Sequence, residues 1–234
     1  RVSEDKQYLY ESTNVIGFKK FCNFCEEKGI HKIIYASSSS VYSDLVQSKF
    51  NEISSELKPK SLYGESKLSN EVYAARFAKK TKKRLIGLRF FSVYGPFGRP
   101  DMAYYLFTDA LKKNKKITLN NQGNMARDMT YIDDIVTGMM SSIRYLNNRN
   151  TNSVCHEIFN LGNDNPVKAI DLLKILEKKL NRKTIIKNYQ TQNESAFTHA
   201  DISKAKKILG YNPQTNIEKG IDEFLKWHKN YEHL

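Results

Sequence analysis

The chain has 234 residues, of which 40% are apolar and 27% charged, as is typical of a globular protein with one large or two small domains. Its formal net charge is +13, but the lysines form short runs at predicted helix ends, where they complement the helix dipole. An anionic small molecule is therefore favoured over nucleic acid as the partner. No apolar run approaches the roughly 20 residues of a membrane span, and no signal-peptide pattern is seen, so the default compartment is the cytoplasm.

The first hundred residues predict an alternation of helices and strands. A helix is expected over about 8–28, ending near Gly29, and the segment KIIYAS follows it as a strand. A loop containing Pro59 leads to a second helix over about 61–80, and the apolar run RLIGLRFFSVYGP predicts a second strand. This order is typical of an α/β fold with a Rossmann-like, doubly wound parallel sheet.

The remaining residues predict shorter and more mixed elements. MAYYLFTDALKKN is expected as a helix, KITL as a strand and NNQGN as a turn, and a helix capped by Asp133 or Asp134 follows RDMTYIDD. A strand at HEIFNLG, a helix over about 167–180 and an amphipathic C-terminal helix complete the chain. We therefore expect a nucleotide-binding layer over 1–97 and a smaller mixed α/β domain over 98–234, with some segments returning to the first.

Cysteine and histidine patterns carry little functional signal. Three cysteines are too few for a disulfide framework, although Cys22 and Cys25 have the C-x-x-C spacing of thiol redox sites. Both lie where apolar residues recur at helical spacing, which favours a core position over redox chemistry. The five histidines show no ligand spacing, so no metal is expected.

A glycine-rich turn is missing from the sequence. A dinucleotide fold opens with a strand, a Gly-rich turn and a helix, because the turn lets the backbone approach the pyrophosphate. The eleven glycines of this chain give no such fingerprint. Either the fold is a different one, or the chain starts after this motif.

Tyr63 and Lys67 are the strongest candidates for chemistry. They are four residues apart, so both project from one face of the predicted second helix. A phenol titrates near pH 10 in water, and a nearby ammonium favours the phenolate, which makes a base that can deprotonate an alcohol. The pair alone is a common spacing on an amphipathic helix. A run of four serines, residues 37–40, ends the preceding strand, where doubly wound sheets bind ligands, and makes the pattern much more specific.

The ordered motifs NVIGF, YASSSSVY, SLYGESK, LRFFSVYGPFGRPDMA and RDMTYIDDI resemble the extended short-chain dehydrogenase/reductases, in the branch of NAD-dependent nucleotide-sugar epimerases. The chain is most similar to UDP-glucuronate 4-epimerases, and the resemblance runs from about residue 1 to the C-terminus. It implies NAD as cofactor, a UDP-sugar substrate bound mainly by residues 98–234, and a homodimer formed by the helices at 8–28 and 61–80. It also implies that roughly ninety preceding residues, with the Gly-rich loop, are absent.

The resemblance assigns roles by position. Ser38, Tyr63 and Lys67 match the catalytic residues, with Tyr63 as base and acid and Lys67 as the residue that also holds the nicotinamide ribose. The cofactor-binding positions further include three residues: Asn14, Ser37 and Phe90. The positions implied to contact the sugar, its carboxylate or the diphosphate are Ser39, Ser40, Ser92, Arg99, Arg127 and Glu194.

Two departures bear on the reaction. Dehydratases of this superfamily have Asp and Glu after the catalytic hydroxyl, whereas this chain has Ser39 and Ser40, so water elimination lacks its acid/base pair. Glu194 stands where the family often has Asp, in the segment QTQNESAFTHAD, and the diphosphate-binding arginine of that segment is missing.

Three functions stay open from the sequence. The preferred one is 4-epimerisation of UDP-glucuronate to UDP-galacturonate through a 4-keto sugar, and the second is epimerisation of a neutral UDP-hexose or other 4-keto chemistry. The third is a non-catalytic fragment or binding module, because the chain lacks the pyrophosphate cradle. In that case calorimetry should find negligible NAD affinity for this chain and tight binding only after extension at its N-terminus.

Overall fold

The computed structural model describes residues 7–43, 49–53, 56–148, 155–189 and 197–231. A π-helical stretch, Tyr10–Ile16, leads into the first of the α-helices, which are α1 (Gly17–Glu27), α2 (Leu62–Thr81), α3 (Ala103–Lys112), α4 (Ile132–Asn147), α5 (Ala169–Leu180), α6 (Ser203–Leu209) and α7 (Ile217–Tyr231). The strands are β1 (Lys32–Ser38), β2 (Arg84–Phe90), β3 (Ser92–Tyr94), β4 (Ile117–Asn120), β5 (Ala126–Tyr131), β6 (His156–Leu161), β7 (Pro166–Lys168) and β8 (Ile186–Tyr189). No helix in these ranges is long and apolar enough to cross a membrane.

A parallel three-stranded sheet carries the serine run. β2 lies in the middle and pairs with β1 on one side and β6 on the other. Ser38 is opposite Phe90, and Phe90 is opposite Leu161, so the three strands end level with one another. Ligands of such sheets bind at the carboxyl ends of the strands, and the serine run lies at that edge. The predicted α/β fold with a parallel sheet is confirmed.

Apolar layers cover both faces of this sheet. Residues of β1 and β2 that face α1 and α2 form one layer with those helices, made of Cys22, Cys25, Ile33, Tyr35, Ala74, Phe77, Ala78 and Leu85. The alternate residues of β2 face α4 and α6, in a layer that includes Ile86, Leu88, Ile135, Leu146, Ala205 and Leu209. This alternation follows from the period of two along a strand.

The C-x-x-C pair belongs to the first of these layers. Cys22 is fully buried and Cys25 is 1% exposed. Burial and the proximity of Cys25 raise the pKa of Cys22 to about 11. The thiolate is the reactive form of cysteine, and burial disfavours it. The prediction that both cysteines lie in the core is therefore confirmed.

Smaller sheets and three helices form the other large core. β5 pairs in parallel with β3 and antiparallel with β7, and β4 pairs in parallel with β8. Between them and the helices α3, α5 and α7 lie apolar side chains such as Tyr104, Leu111, Ile117, Leu173, Ile221 and Phe224. β6 and α4 follow residue 97 in the chain but pack with the first sheet. The division into 1–97 and 98–234 stays a prediction.

Asp128 joins the end of β6 to the segment 197–202 that precedes α6. Its carboxylate is fully buried and accepts backbone N–H bonds from Asn163 (2.7 Å), Asp164 (3.1 Å) and Ala200 (2.9 Å). Phe50 forms an isolated bridge with Ala200, so this contact also reaches the loop beyond the serine run. One carboxylate therefore satisfies the backbone of two loops at once.

Two local predictions are wrong. The run RLIGLRFFSVYGP is not one strand, because the chain changes sheets at Phe91, between β2 and β3. α4 has Tyr131 as its N-cap residue, while Asp134 lies in its first turn and accepts backbone N–H bonds from Gln214 and Thr215. The helix predicted over about 8–28 is present, and its first part, Tyr10–Ile16, is π-helical.

Candidate active site

The serine run forms a tight turn at the end of β1. Ser38 is its last strand residue and caps a short 3₁₀ helix, Ser39–Val41, by accepting the N–H of Ser40 on Oγ at 3.1 Å. Ser38 is 8% exposed, and Ser40 is exposed. The turn therefore holds the Ser38 hydroxyl at the ligand-binding edge and presents Ser40 to solvent.

Ser37 points to the opposite face of the sheet. Its hydroxyl is 2% exposed and donates a 2.5 Å hydrogen bond to Oε1 of Glu71 on α2. This follows from the alternation of side chains along a strand. The cofactor-binding role of Ser37 stays a prediction. Its hydroxyl already donates to Glu71, which does not favour that role.

Tyr63 and Lys67 lie in the first two turns of α2. Ser61 caps the helix by accepting the N–H of Gly64 on Oγ at 3.1 Å. The ammonium of Lys67 is 5.8 Å from the ring centroid of Tyr63 and donates to the backbone carbonyl of Ala36 on β1 at 3.2 Å. Burial lowers the pKa of Lys67. The ammonium thus lies between the Tyr63 ring and the end of β1.

Gly64 brings this helix against the serine turn. A Cβ added at Gly64 would lie 2.4 Å from the carbonyl oxygen of Ser40 and 2.8 Å from Cβ of Pro59. The residue next to Tyr63 is thus in backbone contact with the turn that Ser38 begins. The structure brings Ser38, Tyr63 and Lys67 to one end of the sheet.

Asn14 connects the π-helical stretch to the same helix. Its side-chain amide donates to Ser66 Oγ at 2.9 Å, and Ser66 Oγ donates to the backbone carbonyl of Tyr63 at 2.7 Å. The ring of Tyr10 is 5.9 Å from that of Tyr63. Asn14 therefore positions the helix that carries Tyr63, and its contact with a cofactor stays a prediction.

Phe90 and Ser92 flank the point where the chain changes sheets. Phe90 ends β2 directly opposite Ser38 and is partly buried, with one side packed on the apolar core. Ser92 begins β3 and is partly buried. Both lie along the ligand-binding edge, where their predicted ligands would bind. The contact of Phe90 with the cofactor and that of Ser92 with the substrate stay predictions.

Arg99 lies in the loop after β3 and forms an ion pair with Asp101. Its Nε and Nη2 donate to the two carboxylate oxygens at 2.9 and 2.5 Å, and the side chains are 68% and 43% exposed. The hydrogen bond to Asp101 raises the pKa of Arg99, and electrostatic interactions with Tyr63 and Tyr10 contribute to the rise. Arg99 is thus an exposed cation of the loop after β3, and its facing the substrate stays a prediction.

The structure says less about the two remaining predicted site residues, Arg127 and Glu194. Arg127 lies on β5, partly buried, and its Nη1 donates to the carbonyl of Ala126 at 3.1 Å. Glu194 lies outside the described residues. Within the described ranges no group of three His, Cys, Asp or Glu residues could hold a metal ion.

Comparison with known proteins identifies the fold that carries this site. A sequence model described as the NAD dependent epimerase/dehydratase family matches residues 1–162. The chain belongs to this family. The description names NAD, which is the cofactor predicted from the sequence.

Two relatives of this epimerase/dehydratase chain illustrate the similarity. An uncharacterised protein of Methanocaldococcus jannaschii, MJ1055, is 40% identical over 97% of this chain and 68% of its own length. UDP-glucuronate 4-epimerase 4 of Arabidopsis thaliana is 38% identical over 99% of this chain and 56% of its own length. The chain thus spans little more than half the length of the plant relative.

Solved structures give the same result. The UDP-glucuronic acid 4-epimerase of Bacillus cereus, in complex with UDP-glucuronic acid and NAD, superimposes with a TM-score of 0.85 at 28% identity. The match covers 93% of this chain and 68% of that one. A dTDP-glucose 4,6-dehydratase from Bacillus anthracis also matches with a TM-score of 0.85, at 22% identity, which supports the fold alone.

The described part of this epimerase/dehydratase chain fits one half of NAD. Lys67 has three N–H donors, the Ala36 carbonyl takes one, and the ammonium lies beside the Tyr63 ring near the end of β1. This donor set suits the ribose and nicotinamide end of the cofactor. The 234 residues contain no Gly-rich turn to hold the pyrophosphate.

Sequence reasoning missed the polar residues that support the site. Glu71 continues the four-residue spacing of Tyr63 and Lys67 along α2, and it forms a buried ion pair with Arg89 of β2. The sequence does contain one signal of this pair. Arg89 is a charged residue inside the apolar strand RLIGLRFF, and a charge in that position indicates a buried partner.

Proposed function

We propose that this chain carries the catalytic part of an NAD-dependent nucleotide-sugar 4-epimerase that interconverts UDP-glucuronate and UDP-galacturonate. The observation that carries the proposal is the backbone contact of Gly64 with Ser40, which brings Tyr63 and Lys67 to the serine turn at the end of β1. The similarity to UDP-glucuronate 4-epimerases supports the substrate. Because the chain spans only part of those relatives, the activity belongs to the complete protein.

The residues of the site account for the proton transfer. Tyr63 accepts the proton of the C4 hydroxyl, and the ammonium of Lys67 stabilises the phenolate electrostatically. The Ser38 hydroxyl hydrogen-bonds the same sugar oxygen and keeps it oriented. Bound NAD would supply the hydride acceptor and donor for C4. Turning the 4-keto sugar over before the return inverts the stereocentre, and Tyr63 then gives its proton back.

The uronate carboxylate is recognised by the loop after β3 and by the serine turn. Arg99 is exposed in that loop, and its planar guanidinium can pair with a carboxylate through two hydrogen bonds. Ser39, Ser40 and Ser92 offer hydroxyls along the same edge, and Arg127 is proposed to hold the diphosphate. The carboxylates that dehydratases use for elimination are replaced by Ser39 and Ser40, which favours epimerisation.

A neutral UDP-hexose is the second candidate substrate, and one observation favours it. Asp101 already accepts hydrogen bonds from Nε and Nη2 of Arg99, so the positive charge of Arg99 is neutralised before a ligand binds. A uronate carboxylate has to share Arg99 with Asp101 or displace it, whereas a hexose does not.

Arg99→Ala decides between these substrates in the complete protein. For a uronate enzyme we expect kcat/KM on UDP-glucuronate to fall about tenfold to 100-fold, the cost of one charge-assisted pair, with little change on UDP-glucose. The assay follows formation of the UDP-galacturonate or UDP-galactose product, and Arg182→Ala, an exposed arginine at the end of α5, is the matched control. Equal losses on both substrates would exclude recognition of the carboxylate by Arg99, and a pentose product would indicate decarboxylation instead.

The homodimer implied by the family resemblance stays a proposal. Its predicted helices, 8–28 and 61–80, expose apolar side chains, among them Phe21 (48%), Phe24 (49%) and Val72 (45%). Burial of such side chains stabilises association. Sedimentation should show a dimer that Phe24→Glu weakens, while a wild-type monomer at micromolar concentration would contradict the proposal.

A further inference from the structure

A buried polar cluster lies between α2 and the sheet, one turn beyond Lys67. We call it the Glu71 cluster, and its members are Ser37, Tyr42, Glu71 and Arg89. All four are 5% exposed or less. None of them is assigned a role in the proton transfer described above.

The carboxylate of Glu71 is the centre of the cluster. Its Oε1 accepts from Ser37 Oγ at 2.5 Å and from Arg89 Nε at 2.9 Å, and its Oε2 accepts from Arg89 Nη2 at 2.7 Å. One side chain of α2 is thus bonded to both β1 and β2. Since Ser37 is next to Ser38 in β1, the bond fixes the helix relative to the serine turn.

The other side of the Arg89 guanidinium faces an aromatic ring. Its central carbon is 4.7 Å from the ring centroid of Tyr42, and the Tyr42 hydroxyl donates to Asn160 Oδ1 at 2.7 Å. Asn160 lies on β6 and donates to the backbone carbonyl of Phe50 at 2.8 Å. The cluster therefore links all three strands of the sheet to α2 and to the loop beyond the serine run.

A cluster of this kind is poorly explained as a source of stability. Removing two charges from water costs about as much as their attraction returns, and well-packed apolar residues are often as stable or more so. What a buried ion pair does provide is one preferred alignment of the elements that carry it, because any other leaves a buried charge unpaired. Apolar packing alone tolerates the sliding of a helix over a sheet far better than a buried ion pair does.

The alignment that Glu71 selects is the one that the chemistry needs. Tyr63, Lys67 and Glu71 follow one another at intervals of four residues, so they lie on one face of α2. Lys67 reaches the carbonyl of Ala36 and Glu71 reaches the hydroxyl of Ser37, which are neighbouring residues of β1. A shift of the helix by one position would move Tyr63 by about 1.5 Å along the helix axis relative to β1.

We propose that Glu71, held by Ser37 and Arg89, is a positioning residue that sets the alignment of the Tyr63 helix on the strand that ends in Ser38. The proposal rests on the proposed function. It makes Ser37 a part of the support of the site rather than a cofactor ligand. The groups seen next to the Tyr63 ring are Lys67 of its own helix and Tyr10 of the π-helical stretch.

Ser37→Ala is the mildest test, because it removes one hydroxyl and leaves the ion pair intact. In the complete, NAD-loaded protein we expect kcat to fall about tenfold while KM for the UDP-sugar changes less than about twofold, since positioning acts on the transition state. Ser37→Thr, which keeps a hydroxyl, should restore most of the rate. Glu71→Gln, which leaves the buried Arg89 without its counter-ion, should lower kcat about 100-fold where it folds.

Ser142→Ala is the matched control, since Ser142 is a fully buried serine of α4 whose hydroxyl bonds only within its helix, to the Gly138 carbonyl at 2.9 Å in the described structure. Its kcat should equal that of the wild type at 25 °C. If Ser37→Ala lowers thermal stability but leaves kcat unchanged, as the control does, the positioning role is refuted. A fall in kcat that Ser37→Thr does not restore would refute it equally.

A readout without substrate separates this proposal from the proposed function. Hydrogen exchange of the backbone amides at 64–68, in the first turns of α2, should be faster in Ser37→Ala than in wild type and unchanged in Ser142→Ala. A wild-type protein inactive on UDP-glucuronate and UDP-glucose would overturn the proposed function. Unchanged exchange in Ser37→Ala would overturn the positioning role, whatever the substrate.

Discussion

Replacing Tyr63 by Phe is expected to lower kcat of the complete enzyme about 10³-fold, because the substitution removes the hydroxyl that we propose takes and returns the proton of the C4 hydroxyl. The phenyl ring keeps the packing of the side chain, including its contact with Tyr10 at 5.9 Å. Affinity for the UDP-sugar, measured by calorimetry, should therefore change little. The rate is measured as conversion of UDP-glucuronate to UDP-galacturonate at saturating substrate.

Tyr73→Phe is the matched control on the same helix. The Tyr73 hydroxyl bonds Asn23 at 3.3 Å and lies ten residues beyond Tyr63. Its removal should leave kcat unchanged within experimental error. A Tyr63→Phe enzyme that keeps a tenth or more of the wild-type rate would show that another group is the base.

Replacing Asp128 by Ala is expected to lower the free energy of unfolding by about 3 kcal/mol, because it leaves one buried and two partly buried backbone N–H groups without their acceptor. These donors belong to Asn163, Asp164 and Ala200, in two loops that the Asp128 carboxylate joins. With a urea m-value of about 1–3 kcal/mol/M, the unfolding midpoint should move down by at least about 1 M. The midpoint is read from far-UV circular dichroism.

Asp222→Ala controls for the loss of a carboxylate as such. Asp222 forms an ion pair with Lys179 at 2.6 Å but is 60% exposed, so its removal should cost less than about 1 kcal/mol. Equal midpoints for the two variants would contradict the structural role of Asp128.

The residues of the site that could be predicted from the sequence are those whose spacing is local. Tyr63 and Lys67 are one helical turn apart, and Ser38 ends a short apolar strand, so both patterns are visible in a few residues. What the sequence could not show is the distance between the two patterns. That distance depends on Gly64 and Ser40, which meet across a loop and whose contact involves only backbone.

Supporting residues were missed because their partners are remote in the chain. Glu71 binds Ser37, 34 residues before it, and Arg89, 18 residues after it. Asp128 binds Ala200, 72 residues away. Propensity describes neighbours along the chain, whereas a buried charge is placed by whatever the fold brings next to it.

The errors in the predicted elements have a similar origin. An apolar run predicts a strand but cannot tell that Phe91 is where the chain leaves one sheet for another. An acidic residue before a helix predicts an N-cap, but Asp134 is used instead by the backbone of Gln214 and Thr215, about 80 residues on. In both cases tertiary contacts decide what the local pattern leaves open.

The contact of Gly64 with Ser40 has a consequence for how the family's sequences vary. A methyl group at position 64 would overlap the Ser40 carbonyl and Pro59, so selection against any side chain there follows from packing alone. Glycine after the tyrosine is then expected to persist even in homologues that have lost the reaction, as long as they keep the serine turn. Invariance at this position in an alignment would report the shape of the fold, whereas loss of Tyr63 beside a retained glycine would identify a relative that no longer performs the chemistry.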